Sequence, residues 1–396
     1  MSRPETSRPE PRRQGRRVRR RVAAGLAAVA VLVPYVVTLA LFAQRQTADL
    51  TFARDERDGV TYARALVRLV AATADGQSAA VAGRPVDTGR LTEARTAVEA
   101  VDARLGESLG TGKRWDDLGT ALDAVLDRGP TGAAAYDAWG QVVDLELALT
   151  AAVGDSSNLI LDPELDTYYV IDAALTRLPR VIALSGRVAD LTRLSGAAEH
   201  DAPGLSEAQR AAAGAGERVR SEFANEAAAL DRSLRVAFGA TRSRTLGPAL
   251  LTRLDRLRDA SNTLAPPGDA LGVELGSAGV TQDQAARVQV RDAAVSLAAS
   301  ATGEIDTLLG TRIDGLTQQY RIAVLLAVLA AVGVLAAAWV AAGPRRRPEE
   351  ADDAPAADDT GDGPAVDDLV LEAEELLAGR RLVRSGRALS SSRDAV

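Results

Sequence analysis

The chain has 396 residues, of which 46% are hydrophobic and 3% aromatic, and its formal net charge is −7. It contains no cysteine and a single histidine, which excludes disulfides, thiolate metal sites, Cys/His nucleophile pairs and histidine clusters. A composition rich in Ala and Leu and poor in aromatic residues suits closely packed helices and gives weak strand signals, so we expect an all-α protein.

Two apolar runs, residues 22–42 and 322–342, each contain 21 residues without a charge. Either run is long enough to cross about 30 Å of hydrocarbon as a helix. Arginines are dense before the first run, in residues 1–21, and three more follow the second run at 345–347. By the positive-inside rule we expect a two-pass cell-membrane protein with both termini in the cytoplasm and residues 43–321 outside.

The first run has an alternative interpretation as a cleaved signal peptide, because the residues before Gln44 loosely suit a peptidase. Signal-peptide cores are usually about 7 to 15 residues long, so the length of the run favours an uncleaved anchor. The basic arm, residues 1–21, has no aromatic side chains interleaved for base stacking. We therefore expect it to orient the chain and contact anionic membrane lipids, and we expect no nucleic-acid partner.

Residues 43–321 divide at glycine, proline and acidic residues into about eight helices. Capping boxes are predicted at Ser206 with Gln209 and at Thr281 with Gln284. Two apolar stripes with spacings of three and four predict elongated packing of the four-helix-bundle or coiled-coil kind: Leu91, Ala94, Val98, Val101 and Leu105, and Trp115, Leu118, Leu122 and Val125.

No helix breaker separates the last helix of this segment from the second apolar run, and the first run likewise continues outward. We therefore expect two long helices to join the outer segment to the membrane. Residues 343–396 begin with an acidic linker, from Glu349 to Asp368, and a short helix is predicted from Asp368 to Ala378. These residues are too few for a kinase or cyclase domain, so we expect any signal to pass to a separate cytoplasmic signalling protein.

The stretch SNLILDPELDTYY, residues 157–169, differs from the Ala/Leu/Val/Arg pattern around it. Asp162 and Pro163 predict a helix N-cap followed by proline at the first helical position. Tyr168 and Tyr169 are neighbours on a helix and so point about 100° apart. One ring is expected in the core and the other at a polar partner or cavity. Capping and packing explain most of these residues, so the residues alone favour a structural role over a ligand pocket.

The same stretch, continued to Leu178 and Pro179, resembles a segment in the helical extracytoplasmic sensor regions of bacterial transmembrane receptors. These receptors are methyl-accepting chemotaxis proteins and sensor histidine kinases, with the pattern Ser-Asn-Leu-x-Leu-Asp-Pro-x-x-Asp-Ser/Thr-Tyr-Tyr. The resemblance covers about two dozen residues and the layout of span, helical segment and span. After the second span such receptors continue into a HAMP linker and an output domain, whereas here an acidic linker follows.

The resemblance implies an all-helical sensing module in a homodimeric receptor. It makes four polar or aromatic residues of the stretch the candidate ligand-binding residues: Asn158, Asp166, Tyr168 and Tyr169. We expect no catalytic residues, no metal and no cofactor, because the phosphate-loop-like and EF-hand-like spacings both lack required residues. The favoured function is a membrane receptor-like protein whose outer helical segment senses a small molecule or an envelope partner and acts on a separate cytoplasmic protein. The alternative is a structural or scaffold protein whose outer bundle makes constitutive contacts.

Overall fold

A computed structural model describes residues 12–162, 164–196, 204–241, 243–266 and 277–342, and no strand occurs among them. The chain is all-helical, as the sequence predicts. The predicted acidic linker and the short helix at 368–378 lie outside the described residues. The α-helices of the described part are α1 (Arg12–Val81), α2 (Thr88–Leu109), α3 (Gly112–Arg128), α4 (Gly132–Ser156), α5 (Leu165–Ile171), α6 (Leu178–Ser195), α7 (Glu207–Ala240), α8 (Leu246–Leu264) and α9 (Ser277–Ala342).

Two less regular turns lie on either side of α5. A 3-10 turn, Leu159–Leu161, follows α4, and a π-helical turn, Asp172–Arg177, joins α5 to α6. A π-helical turn inserts extra backbone into a helix and occurs frequently at functional sites.

The two longest helices are α1, with 70 residues, and α9, with 66. Each is long and apolar enough to cross a membrane. Their apolar runs are exposed, with 65% of Leu26 and 58% of Leu329 accessible, and an apolar surface of this extent suits lipid better than water. Both helices continue unbroken beyond these runs, as predicted. These findings are consistent with a membrane protein.

The first helix, α1, contributes to two hydrophobic clusters. One cluster includes its Val67 and combines residues of α1 with those of α5 to α9. The other includes its Leu66 and Leu69 and combines α1 with α2, α3 and α4. Because neighbouring helical residues point about 100° apart, α1 is buried from two sides at this level. Burying one leucine such as Leu66 stabilises the fold by about 1.5–3 kcal/mol.

Two predicted helix starts have different outcomes. The Ser206 hydroxyl accepts the N–H of Gln209, and the Gln209 side chain accepts the N–H of Ser206 at 3.1 Å, so this capping box is confirmed. The box at Thr281 is wrong, because α9 already begins at Ser277 and Thr281 lies inside the helix. There Gln284 instead donates from Nε2 to the Ala189 carbonyl at 3.2 Å, so its amide serves a contact between α9 and α6.

Gly59 allows the segment after α4 to approach α1 closely. A Cβ atom at this position would lie 2.1 Å from Ser157 Oγ and 2.7 Å from Leu159 Cδ1. Both distances are shorter than van der Waals contact, and both neighbouring residues are fully buried. The absence of a side chain at Gly59 therefore fixes where residues 157–159 pack.

We predict that Gly59→Ala destabilises the protein by about 1–3 kcal/mol, because the added methyl group overpacks this contact. The measurement is denaturant unfolding of the full chain in detergent micelles, followed by circular dichroism. The control is Gly310→Ala in α9, where a Cβ would meet no atom within 4 Å. Equal unfolding midpoints for the two variants would contradict the described contact.

Candidate functional site

The segment between α4 and α5 has a fixed backbone conformation. Asn158 has φ of 61° and is the one described residue other than glycine in the left-handed region, which asparagine tolerates better than most residues. Its carbonyl accepts the N–H of Leu161 at 2.8 Å, which closes the 3-10 turn. The buried Ser157 hydroxyl donates to the Val153 carbonyl at 2.6 Å. These bonds give the polar residues 157 and 158 a structural role.

The predicted N-cap at Asp162 needs correction. Helix α5 begins at Leu165 with Glu164 as its N-cap residue, and Pro163 lies outside the described residues. Asp162 has extended backbone angles, with ψ of 124°, as favoured before proline. Its Oδ1 still accepts a backbone N–H, that of Glu164 at 2.7 Å. This oxygen therefore closes a turn just before the helix. The second oxygen, Oδ2, faces Arg312 of α9.

The four predicted ligand-binding residues lie in different surroundings. Asn158 lines an open groove along α1. The Asp166 carboxylate accepts the N–H of Thr167 at 2.9 Å, at the start of α5. Tyr169 packs against the first hydrophobic cluster, whereas Tyr168 is 38% exposed and lines a separate cavity. The two tyrosines thus take the two environments predicted from their spacing, and their rings meet edge to face at 5.3 Å.

The Tyr168 cavity has a volume of about 140 Å³ and lies between α4, the 3-10 turn, α5 and the π-helical turn. Its wall contains apolar side chains, among them Ile160 and Leu175, and its charged lining residues are Asp155 and Asp172. The Asp172 carboxylate accepts hydrogen bonds from Arg177 at 2.6 Å and Ser233 at 3.1 Å.

A buried acid–arginine cluster, consisting of Glu56, Asp162 and Arg312, joins three parts of the chain. Glu56 belongs to α1, Arg312 to α9, and Asp162 to the segment before α5. Arg312 Nη1 lies 3.3 Å from Glu56 Oε2 and 3.5 Å from Asp162 Oδ2, and neither acidic side chain has exposed surface. The other Glu56 oxygen, Oε1, is buried without a hydrogen-bond partner in the described structure.

Burial, together with the charge of the adjacent Asp162 carboxylate and against the opposing charge of Arg312, raises the pKa of Glu56 to about 8. Burial also raises the pKa of Asp162, although its hydrogen bond with the Glu164 N–H and the charge of Arg312 oppose this shift. One guanidinium cannot compensate two buried negative charges. We infer that near pH 7 the two acids carry one proton and a single negative charge, which Arg312 balances.

Other polar contacts join the two long helices beside the cluster. Arg57 donates to both carboxylate oxygens of Asp306, at 2.6 and 3.3 Å. Arg64 donates to the hydroxyl of Thr302 at 3.1 Å and to its carbonyl at 3.0 Å. Directional bonds between α1 and α9 thus occur beside the cluster, and they occur again further along, where Asp75 of α1 pairs with Arg287 of α9 at 2.8 Å.

Two further acids are buried in the interior. Glu146 is fully buried, accepts the Thr73 hydroxyl at 2.6 Å, and has its pKa raised to about 8 by burial. Asp190 accepts from Gln77 at 3.1 Å, and burial raises its pKa to about 6. Both acids bond to polar residues of α1, at positions 73 and 77.

Sequence reasoning missed Glu56, although its position carried a signal. Glu56 continues a stripe with Ala53, Val60 and Ala63 at spacings of three and four, and all four residues are buried. An acid on such a stripe indicates either an interrupted helix face or a buried carboxyl group with a partner. Choosing between these requires the partner, which comes from the opposite end of the chain.

In comparisons with protein-family models, curated proteins and solved structures, none matches this chain. Within the described ranges, no group of three or more His, Cys, Asp or Glu residues is placed to hold a metal ion. Interpretation of the site therefore rests on its own geometry.

We predict that wild-type stability falls relative to Glu56→Gln as the pH rises from 5 to 8. Between the ordinary pKa of 4.5 and about 8, folded Glu56 keeps a proton that the unfolded chain releases, so deprotonation favours unfolding. One such group contributes at most about 1.4 kcal/mol per pH unit, and glutamine contributes nothing. Denaturant unfolding of the full chain in micelles at several pH values gives the difference.

Glu99→Gln, at an exposed position of α2, is the matched control and should follow the wild-type curve. Glu146 and Asp190 are present in all three proteins, so their contributions cancel in the comparison. Parallel curves for wild type and Glu56→Gln across this range would show that Glu56 does not keep its proton on folding.

Proposed function

We propose that the chain is a membrane-anchored, receptor-like sensor. Its outer helical segment, 43–321, detects a small molecule or an envelope partner and passes the signal through α1 and α9 to a separate cytoplasmic protein. The observation that carries the proposal is the acid–arginine cluster, which connects the segment before α5 to both helices that contain the apolar runs. The resemblance of residues 157–179 to receptor sensor regions supports the same function.

The cluster suits transmission because its contacts are few, buried and directional. A hydrophobic contact between helices keeps its energy over small sliding movements, whereas a carboxylate–guanidinium contact depends on the relative position of its groups. Displacing Asp162 alters the charge balance between Glu56 and Arg312. Small helix shifts of about 1–2 Å are a common means of signalling between packed helices. Movement of residues 157–169 is thereby converted into movement of α1 relative to α9.

The proposal includes the topology, with both termini in the cytoplasm and homodimerisation through helical contacts. The chain has no cysteine, so single cysteines can be introduced as unique labels. In intact cells we expect a membrane-impermeant maleimide to label Asp127→Cys, which is exposed at the end of α3. Ser391→Cys should be labelled only after the membrane is permeabilised. Labelling of both positions, or of Ser391→Cys alone, in intact cells contradicts this topology.

Transmission can be tested by measuring the distance between the far ends of α1 and α9. Spin labels at Leu26→Cys and Val340→Cys, both exposed positions, report this distance in lipid nanodiscs by pulsed electron resonance. Dilution with unlabelled protein leaves only distances within one chain. We predict that Arg312→Ala shifts or broadens the distribution by about 1–2 Å or more, because it leaves the buried acids without a counter-charge.

Arg95→Ala provides the control for this measurement. Arg95 pairs with Asp123 at 2.5 Å, between α2 and α3 and away from α9. Its removal should leave the distance distribution as in wild type. If Arg312→Ala also leaves it unchanged while the protein stays helical, then α1 and α9 are static anchors, and the scaffold alternative is correct.

A further inference from the structure

The cavity beside Tyr168 has the size of a small ligand. Its volume of about 140 Å³ is close to that of cavities of about 150 Å³ that take up a benzene-sized molecule. Ile160, Ile171 and Leu175 give it an apolar lining, and Tyr168, which is 38% exposed, is also among its lining residues. Apolar walls with a few polar groups are typical of sites for small organic ligands.

The charged residues that line the cavity are all acidic. Asp155 and Asp172 line it, and no basic residue does. Arg177 and Ser233 both bond to Oδ2 of Asp172, at 2.6 and 3.1 Å, and the Arg177 guanidinium balances the charge of that carboxylate. Asp155 is exposed, and no hydrogen bond or ion pair to its carboxylate occurs in the described structure. The charge available to a ligand is therefore the negative charge of Asp155.

The aromatic residue adds to this preference. Tyr168 is held edge to face against Tyr169, with the ring planes 80° apart, so its orientation is fixed by a side chain packed on the core. The face of a tyrosine ring attracts cations through its quadrupole. A carboxylate and an aromatic ring at the walls of an apolar cavity together favour a positively charged group attached to a compact apolar body.

We propose that this cavity binds a small organic ammonium compound, with its ammonium group at Asp155 and its apolar body between Ile160 and Leu175. The inference rests on the proposed function and specifies the class of ligand that the sensor detects. Ile160 and Tyr168 belong to the same short segment as Asp162, on either side of it in sequence. A ligand that contacts both residues therefore acts on the segment that holds the acid–arginine cluster.

Gly154 permits a direct test of the cavity. A Cβ atom there would lie 3.7 Å from Cγ2 of Ile160 and 3.8 Å from Cδ2 of Leu175, which is ordinary van der Waals contact. The methyl group of Gly154→Ala thus enters the space between these two walls without a clash. Alanine also favours the helix in which residue 154 lies, so the variant is expected to fold.

Three probes with the same ring separate charge from shape: benzylamine, benzyl alcohol and benzoate. Binding to the full chain in detergent micelles is measured by titration calorimetry. We expect benzylamine to bind about two- to fivefold more tightly than benzyl alcohol, the range for a partly exposed charge interaction, and benzoate to bind more weakly than either. Asp155→Asn should remove the advantage of benzylamine over benzyl alcohol.

Gly154→Ala should weaken benzylamine binding by about tenfold or more, because the added methyl group occupies part of a small cavity. Gly140→Ala is the matched control in the same helix, since a Cβ there would meet no atom within 4 Å. It should bind benzylamine as wild type does. The proposal is wrong if benzylamine shows no saturable binding, if benzyl alcohol or benzoate binds equally well, or if Gly154→Ala leaves the affinity unchanged.

Failure of this proposal is distinguishable from failure of the proposed function. The spin-label distances compare Arg312→Ala with wild type without any ligand, so absence of amine binding leaves their result intact. Conversely, amine binding combined with unchanged distances in Arg312→Ala would establish the site while removing its role in transmission.

Discussion

The two long helices meet at a pair of carboxyl groups that have only one arginine between them. Glu56 and Asp162 have no exposed side-chain surface, so water cannot stabilise a second negative charge there. One guanidinium cannot compensate two buried negative charges, and the raised pKa of both acids indicates that they share one proton. Buried ion pairs of this kind contribute little net stability, because the cost of removing the charges from water offsets their attraction.

The same constraint recurs along α1, which has core on two sides and therefore little surface on which to place polar groups. Its polar residues meet partners from many elements: Thr73 meets Glu146 of α4, and Gln77 meets Asp190 of α6. Alanines at many of its buried positions let neighbouring helices approach closely. Because both hydrophobic clusters include α1, a rearrangement in either cluster acts on this helix.

The sequence was informative where structure is decided locally. Stripes such as Leu118 and Leu122 predicted buried helix faces correctly, since apolar periodicity follows directly from helix geometry. The sequence was less informative where the role of a side chain depends on a partner far away in the chain. Asp162 has the features of an N-cap, but one of its oxygens faces Arg312, 150 positions away. The spacing of Tyr168 and Tyr169 likewise indicated two environments, but the cavity that Tyr168 lines is formed by elements before and after it in the chain.

The unbroken course of α1 has a mechanical consequence, because its apolar run contains Pro34. Proline has no N–H to donate and crowds the preceding turn, so a helix bends more readily there than elsewhere. The helix is continuous between residue 56 and the proline, so an axial rotation applied near residue 56 is passed along it toward residue 34. A bend at Pro34 would turn that rotation into a sideways swing of the shorter, N-terminal part of the helix.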